Sequence, residues 1–291
     1  MCSTFKYKNV MGRNYDYEQS FKEEVIFIPR GEIICNSNYD ILGIGSGLFK
    51  EYPMLYDGMN SEGLCCSGLA FTGNAEYYTF RNDTLNVPAY KVIPYILGHY
   101  HSVKDFKDTV NFDFNITDTP FSKEVGNAEL HWFLCDGEDA LVIESTKCGV
   151  NIYDNPLEAM TNNPPFNVAR PVYTALTRNI GEYDLHYGTR GKETFGIMGD
   201  YTSLSRLVRL IWLKKHLETY DMADPVTDGF KLCSSVEQLY GLTPVNDRFE
   251  YTIYKCIYDM DNLKLHTQMY AENESREWDF GVADTICRWE L

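Results

Sequence analysis

The residues with the clearest chemical potential lie close to the N-terminus. Cys2 follows Met1, and a small second residue lets aminopeptidases remove an initiator methionine. Cys2 would then carry a thiol and a free α-amine, a group whose reference pKa of roughly 7.7–8.0 leaves part of it unprotonated near neutrality. Such an amine can act as general base for its own side chain, as it does in N-terminal threonine hydrolases. Arg13 and Asp16 add a cation that favours a thiolate and an anion that can hold the amine.

Two plainer interpretations of Cys2 remain open from the residue alone. It can simply be the residue that happens to stand second. It can also be a lipid-anchor site, but no apolar stretch precedes it as a lipoprotein signal would require. The surrounding pattern favours chemistry, because a strand-like segment 2–7 is followed by a predicted turn at 9–12 and then by the Arg13/Asp16 pair.

The elements that must position these residues are mostly strands. Apolar and β-branched runs predict strands over 2–8, 24–29, 33–37, 39–45, 64–71, 129–135, 139–145, 149–153, 250–258 and 263–271. Helices are predicted over 88–99, over a short stretch capped by Ser102, and over 203–219 and 234–240. In the longest helix, an apolar stripe is expected to face the core, while Lys214, Lys215, Glu218 and Arg209 are expected to face water. Strands, then helices, then strands favour an α+β fold of layered sheets with helices outside.

Composition limits the classes of function. The chain has 291 residues and a formal net charge of −16, which argues against nucleic-acid binding and against anionic membrane surfaces. No apolar run approaches the roughly 20 residues of a membrane span, and residues 1–6 lack a signal-peptide core. We therefore expect a cytoplasmic protein that forms one domain over residues 1–291, with no membrane or nucleic-acid partner.

No cofactor or metal is predicted. The nine cysteines contain no C-x-x-C pair, so most are expected to be reduced core residues rather than disulfides or zinc ligands. We expect His99 and His101 to form a pair on the surface. We expect His131 to lie in a strand with its hydrogen bonds satisfied. The glycines at 43, 45 and 47 match neither a phosphate-binding loop nor a nucleophile elbow.

A series of motifs in register resembles the choloylglycine hydrolase family, which contains bile salt hydrolases and penicillin V acylases. The matching segments are Gly-Arg-Asn-Tyr-Asp-Tyr-Glu at 12–18, Ile-Phe-Ile-Pro-Arg at 26–30, Tyr-Pro at 52–53, Asp-Gly-Met-Asn-Ser-Glu-Gly-Leu at 57–64, Leu-His-Trp at 130–132, Thr-Asn-Asn-Pro-Pro-Phe at 161–166 and Gly-Asp-Tyr-Thr-Ser-Leu-Ser-Arg at 199–206. The resemblance implies a four-layer αββα sandwich, the N-terminal nucleophile hydrolase fold.

The resemblance also implies further catalytic positions. Asn162 would donate its amide to a tetrahedral oxyanion, and Arg206 would hold charge around Cys2 and Asp16. Ala70 stands where bile salt hydrolases usually carry asparagine and penicillin V acylases usually tyrosine, so the essential donor there would be its backbone N–H. Asn74 can partly substitute for the missing side chain, although a turn asparagine is the simpler interpretation.

Family pocket loops align with six residues that would bind an apolar acyl group such as a sterol or a phenoxyacetyl ring. These residues are Tyr15, Phe21, Phe49, Tyr56, Phe121 and Val125. The resemblance also implies a homo-oligomer, either a tetramer or a dimer. The segment between Asn162 and Arg206 is shorter than in typical bile salt hydrolases, where it carries a hairpin that helps to build tetramers, so the sequence supports a tetramer less strongly than the family pattern does.

Three functions follow from these observations. The first is a cysteine amidase that cleaves linear C–N amides, with conjugated bile salts as its substrates. The second is a penicillin V acylase or another N-acyl amidase with the same residues. The third is a catalytically silent binding protein on this scaffold, with Ala70 as a first sign of decay; the complete set of Cys2, Arg13, Asp16, Asn162 and Arg206 argues against it.

Overall fold

The computed structural model describes residues 1–32, 34–110, 114–178, 180–181, 190–220 and 223–291. Its strands are β1 (Cys2–Tyr7), β2 (Val10–Tyr17), β3 (Glu23–Ile28), β4 (Ile41–Ser46), β5 (Leu55–Asn60), β6 (Cys65–Ala70), β7 (Leu85–Pro88), β8 (Phe114–Thr117), β9 (Leu130–Cys135), β10 (Ala140–Thr146), β11 (Gly149–Asp154), β12 (Ala159–Met160), β13 (Thr243–Val245), β14 (Arg248–Asp259), β15 (Lys264–Met269), β16 (Arg276–Asp279) and β17 (Cys287–Glu290). Its helices are α1 (Val92–His99), α2 (Val103–Val110), α3 (Phe166–Thr177), α4 (Ser203–Tyr220) and α5 (Pro225–Ser235), with short 3₁₀ turns at Ala89–Lys91 and Lys192–Thr194.

The first large sheet is built around the N-terminal hairpin. Its strand order is β12-β1-β2-β14-β15-β16, and β13 pairs with β14. Strands β1 and β2 pair antiparallel, with Cys2 opposite Tyr15 and Phe5 opposite Gly12. A Cβ atom at position 12 would come within 2.2 Å of the Phe5 ring, so a larger residue there would have to displace this buried side chain. This tight hairpin brings Arg13 and Asp16 onto the strand beside Cys2.

The second large sheet lies on the other side of Cys2. Its strand order is β11-β10-β9-β6-β5-β4-β3-β17, and the pairs within it are antiparallel. Strand β6 pairs with β9 along its whole length, from Cys65 opposite Cys135 to Ala70 opposite Leu130. On its other side, β6 pairs with β5 only as far as Ser67 opposite Asp57. The last residues of β6 therefore leave one backbone edge open towards the N-terminus.

Alternation of side chains along the strands divides the core into layers. Val25 belongs to an apolar cluster between the two sheets, whereas the next residue, Ile26, packs beneath α1 and α2 on the outer face of the second sheet. A third cluster joins Phe5 of the first sheet to α4 and α5. The layers run helix, sheet, sheet, helix, which confirms the predicted four-layer αββα sandwich.

Three predicted elements are wrong, each for a local reason. The N-terminal turn lies at Lys8 and Asn9 rather than over 9–12, because Val10 already pairs with Tyr7; Lys8 supplies the positive φ of 49° that the turn requires. The segment 33–37 is not a strand where it is described: residues 34–36 form a turn, and Gly31 N donates to Ser37 O at 2.7 Å.

The predicted helix at 234–240 is also wrong, since α5 occupies 225–235 instead. The signal for its start is present in the sequence. The Asp224 carboxylate accepts the Thr227 N–H at 3.0 Å, and Pro225 stands in the first turn, where its missing N–H costs nothing. Some observed elements have no counterpart among the predicted ones: helix α3 and strands β2, β5, β7, β8, β12, β13, β16 and β17.

Helix α4 is confirmed as an element, but two of its charged residues do not face water. Arg209 is buried and donates to the carbonyl oxygens of Ser235 at 2.6 Å and Met198 at 2.5 Å. Lys214 is buried as well and pairs with Glu158 at 2.5 Å. Both cations link α4 to neighbouring segments, because the helix is covered on more faces than an isolated amphipathic pattern suggests.

Two further observations concern the whole chain. All nine cysteines are free thiols, and seven of them are buried. Among the described residues, no helix is both long enough and apolar enough to cross a membrane. The prediction of a shortened hairpin between Asn162 and Arg206 falls in part on residues 179 and 182–189, which lie outside the described residues.

Candidate active site

Cys2 lies at the first position of β1, buried between the two sheets with 4% of its surface exposed. Its Sγ lies 3.8 Å from Nη2 of Arg13 and 3.9 Å from the backbone oxygen of Asp16. A guanidinium at this distance can pair with the sulfur once the thiol has lost its proton. The structure thus places next to the sulfur the cation that the sequence analysis assigned to it.

The structure contains Met1, so the nitrogen of Cys2 is an amide here and stands in for the amine that removal of Met1 would release. This N–H donates to Oδ1 of Asn162 at 2.8 Å. The Met1 ammonium donates to the Asp16 backbone oxygen at 3.1 Å. Burial lowers the pKa of the Met1 amine, although Cys2 and Asp16 act in the opposite direction.

Asp16 is fully buried, and its carboxylate is held from three directions. Thr252 Oγ1 donates to Oδ1 at 2.6 Å, and Gln238 Nε2 donates to Oδ2 at 2.9 Å. Arg206 forms the third contact, an ion pair at 3.7 Å. Toward the N-terminus, Asp16 presents its backbone oxygen rather than its carboxylate. Asp16 therefore brings negative charge close to the amine, although its carboxylate does not accept a hydrogen bond from that amine.

Arg206 connects the residues that surround Cys2. Its Nη1 donates to the Cys2 carbonyl at 2.7 Å and to Ser3 Oγ at 2.6 Å. Its Nη2 donates to Asn162 Oδ1 at 2.9 Å. The side chain is completely buried, so these contacts are shielded from water. Arg206 thus contacts both the backbone of Cys2 and the amide of Asn162.

Asn162 and Ala70 meet at the open edge of β6. One N–H of the Asn162 amide donates to Ala70 O at 2.8 Å, which leaves its second N–H for another acceptor. Phe71 N donates to Glu129 O at 2.8 Å, on the β9 side. Ladder hydrogen bonds alternate along an antiparallel strand, so the N–H of Ala70 points to the opposite side, the edge that Asn162 occupies. Two donors can therefore converge beside Cys2.

Arg13 forms an ion pair with a buried carboxylate, that of Asp57, to which the sequence analysis assigned no role. Its Nη1 pairs with Asp57 Oδ2 at 2.6 Å and also contacts the Tyr56 carbonyl, and its Nη2 donates to Gly68 O at 2.7 Å. The hydroxyl groups of Tyr254, at 2.5 Å, and Tyr258 donate to the same Asp57. The signal for Asp57 was its place in the motif at 57–64. Nothing in the sequence indicated which cation it would meet.

A cavity of about 610 Å³ opens from Cys2 towards the surface. All six predicted pocket residues line it, together with Cys2, Arg13, Asp16 and Ala70. Tyr15 stacks on Tyr56 with ring centroids 4.8 Å apart, and Phe49 meets Phe121 edge-on at 5.3 Å. The prediction missed several other lining side chains, which come from distant segments: Tyr17, Leu48, Met54, Tyr90, Ile93, Thr72 and Trp132. The walls are mainly apolar and include eight aromatic side chains, which suits a bulky apolar acyl group.

The remaining candidates have other surroundings. His131 is buried and has acceptors at both ring nitrogens, as predicted. Asn74 donates to Thr72 O at 3.3 Å and to Asn163 Oδ1 at 2.9 Å, so it holds two loops together rather than facing the sulfur. Within the described residues, no group of three or more histidine, cysteine or acidic side chains is arranged to hold a metal.

The chain matches a known protein family. The profile of linear amide C–N hydrolases of the choloylglycine hydrolase family matches residues 1–280. A bile salt hydrolase/transferase of Lactiplantibacillus plantarum is 35% identical over 94% of this chain and 90% of its own length. A bile salt hydrolase/transferase of Clostridium perfringens is 31% identical over 86% of this chain and 82% of its own.

Solved structures agree on the fold. A variant of conjugated bile acid hydrolase from Clostridium perfringens superimposes with a TM-score of 0.91 at 26% identity, covering 100% of this chain and 97% of the other. Penicillin V acylase from Agrobacterium tumefaciens has a TM-score of 0.79 at 17% identity, covering 99% and 91%, and this likeness concerns the fold alone. The resemblance inferred from the motifs is confirmed.

Proposed function

Because this chain belongs to the choloylglycine hydrolase family of linear amide C–N hydrolases, we propose that Cys2, exposed as the N-terminal residue by removal of Met1, is its nucleophile and that conjugated bile salts are its substrates. The observation that carries the proposal is the convergence at Cys2: the Arg13 guanidinium lies 3.8 Å from the sulfur, and the Asn162 amide lies 2.8 Å from the nitrogen.

The reaction begins with transfer of the thiol proton to the α-amine of Cys2. The thiolate attacks the amide carbonyl carbon, and the carbonyl oxygen becomes an oxyanion. Asn162 Nδ2–H and the Ala70 N–H donate to this oxygen, a type of contact whose loss typically costs about 10²–10³ in rate. The protonated amine then passes its proton to the leaving nitrogen, and the C–N bond breaks.

Water completes the cycle. The neutral amine of Cys2 takes a proton from a water molecule, which attacks the thioester and forms a second tetrahedral intermediate. Its collapse releases the carboxylic acid and returns the thiol. Asp16 and Arg206 hold the surrounding side chains in place, because their buried charges lie 3.7 Å apart and compensate each other.

The acyl group would occupy the aromatic cavity, whose volume of about 610 Å³ falls in the range usual for small-molecule sites. A steroid nucleus presents broad apolar faces, and the stacked rings of Tyr15 and Tyr56 offer a flat wall to match them. Bile salts are also what the relatives' names specify. Free thiols at all nine cysteines support a reducing, cytoplasmic location.

The test is a comparison of kcat/KM for glycocholate, taurocholate and penicillin V, with the Cys2→Ala variant as control. The proposal predicts that one or both bile salts are hydrolysed more efficiently than penicillin V, and that the control is inactive with all three. Preference for penicillin V would move the substrate assignment to the acylase alternative while leaving the cysteine mechanism in place. Hydrolysis by the control would refute the mechanism itself.

A further inference from the structure

A buried His131–Glu144 pair lies beneath the segment that carries Asn162. His131 is on β9 and Glu144 on β10, and their ring Nδ1 and Oε1 are 3.2 Å apart with about 1% of either side chain exposed. The ring also stacks on Phe71, with centroids 4.4 Å apart and planes 6° from parallel. Burying an ionisable pair this deeply costs free energy of desolvation unless good geometry and further hydrogen bonds compensate for it.

The pair contacts both ends of residues 161–166. At the first end, His131 Nε2 lies 2.9 Å from the carbonyl oxygen of Thr161, the residue directly before Asn162. At the second end, Glu144 Oε1 accepts the N–H of Phe166, where α3 begins, at 2.9 Å. A single buried unit thus binds the segment on either side of the proposed oxyanion donor.

The acceptors around the pair constrain which groups can donate. A carbonyl oxygen can only accept, so the contact of His131 Nε2 with Thr161 O requires an N–H on Nε2. Glu144 Oε1 accepts the Phe166 N–H and lies within hydrogen-bond distance of His131 Nδ1. Replacing Glu144 by glutamine keeps the shape of the side chain but exchanges one of its oxygens for an NH₂ donor.

We propose that His131 and Glu144 are positioning residues for amide hydrolysis, which act by holding Asn162 at the oxyanion site. This inference rests on the proposed role of Asn162. In Glu144→Gln, the oxygen of the substituted side chain can still accept from Phe166. A neutral His131 ring has a single N–H, so if it donates from Nδ1 to the glutamine oxygen it loses the bond from Nε2 to Thr161.

The expected effect is a loss of turnover rather than of binding. Displacing a catalytic donor by about 1 Å can cost on the order of 10² in rate, so Glu144→Gln should lower kcat about 10- to 100-fold and leave KM within about threefold. The contacts of the pair run to Thr161 and Phe166 and reach Cys2 only through Asn162. Alkylation of the Cys2 thiol by iodoacetamide should therefore slow much less than turnover.

The decisive experiment is a double-mutant cycle with Asn162→Ala, measured on whichever of glycocholate, taurocholate and penicillin V is turned over best. If the pair acts through Asn162, Glu144→Gln will lower kcat in the wild-type background and add nothing in the Asn162→Ala background. Additive losses, unchanged kcat in folded Glu144→Gln, or equally slowed alkylation would overturn the inference. Normal kcat in Asn162→Ala alone would instead refute the oxyanion role on which it rests.

Two further variants separate positioning from general stability. Asp228→Asn is the matched control: this acid is also buried, and it accepts from Tyr7 at 3.1 Å on the helical side of the first sheet. It should be destabilised with kcat unchanged. If Glu144→Gln does not fold, His131→Gln serves in the same cycle. It retains one N–H donor for Thr161, so its kcat should lie between those of wild type and Asn162→Ala.

Discussion

Breaking the ion pair between Arg13 and Asp57 should strongly destabilise the fold. Both side chains are buried, with 1% and 0% exposed, and their atoms are 2.6 Å apart. In Asp57→Asn, the cation of Arg13 stays buried without its counter-ion, a change that typically costs about 3–5 kcal/mol. Asparagine also presents an N–H towards one of the donors, Tyr254 or Tyr258. Since domains are stable by only about 5–15 kcal/mol, the variant should be close to unfolding.

The measurement is the free energy of unfolding by urea, followed by tryptophan fluorescence. Asp108→Asn is the control, because its pair with Lys104 is exposed and should contribute no more than about 1 kcal/mol. Combining Asp57→Asn with Arg13→Met removes both charges, so the double variant should be more stable than Asp57→Asn alone. A loss below about 1 kcal/mol in the single variant, or a double variant that is no more stable than the single, would refute the reasoning.

Three more outcomes follow from the site and its surroundings. Cys2→Ala should fold and hydrolyse nothing, and Cys2→Ser should be severely impaired because a hydroxyl ionises far less readily; turnover within a few-fold of wild type in either would mean another nucleophile. Ala70→Asn should shift relative kcat/KM towards bile salts over penicillin V without abolishing activity. Ala70→Pro lacks the N–H and should lose about 3–4 kcal/mol of transition-state stabilisation, a loss comparable to that of Asn162→Ala. A folded Ala70→Pro variant with normal turnover would place the oxyanion site elsewhere. Burial raises the pKa of Glu158, but Lys214 and a second lysine outweigh it, so the pKa lies below 4.5. The stability from this pairing is present above the unfolded-state pKa of 4.5 and is lost as pH falls through the folded-state pKa; acid unfolding of Glu158→Gln should lack that part of the pH dependence, and identical acid limbs would contradict the assignment.

The sequence predicted which residues form the site better than it predicted the hydrogen bonds and ion pairs between them. Cys2, Arg13 and Asp16 lie within one hairpin, so their proximity follows from local pairing. Asn162 and Arg206 came from family motifs, and the structure brings both to Cys2. Their exact roles stay predictions until variants are assayed.

What escaped prediction depends on contacts between distant segments. Asp57 meets Arg13 across the two sheets, and Glu144 meets His131 across neighbouring strands, so neither partner can be read from spacing along the chain. The prediction for Arg209 is wrong for the same reason: a helical pattern shows which face is apolar but not that another segment covers the polar face. Local turns failed differently, as at Lys8, where a residue with a side chain adopts positive φ.

The central claim is that a free α-amine on Cys2 works with its thiol. The direct measurement is the intact mass of the enzyme after reaction with a thiol-reactive acyl probe, combined with the mass of its N-terminal peptide. The account predicts that the labelled, active chains lack the mass of one methionine residue and carry the probe on Cys2. Chains that retain Met1 and turn over substrate at the same rate would contradict it.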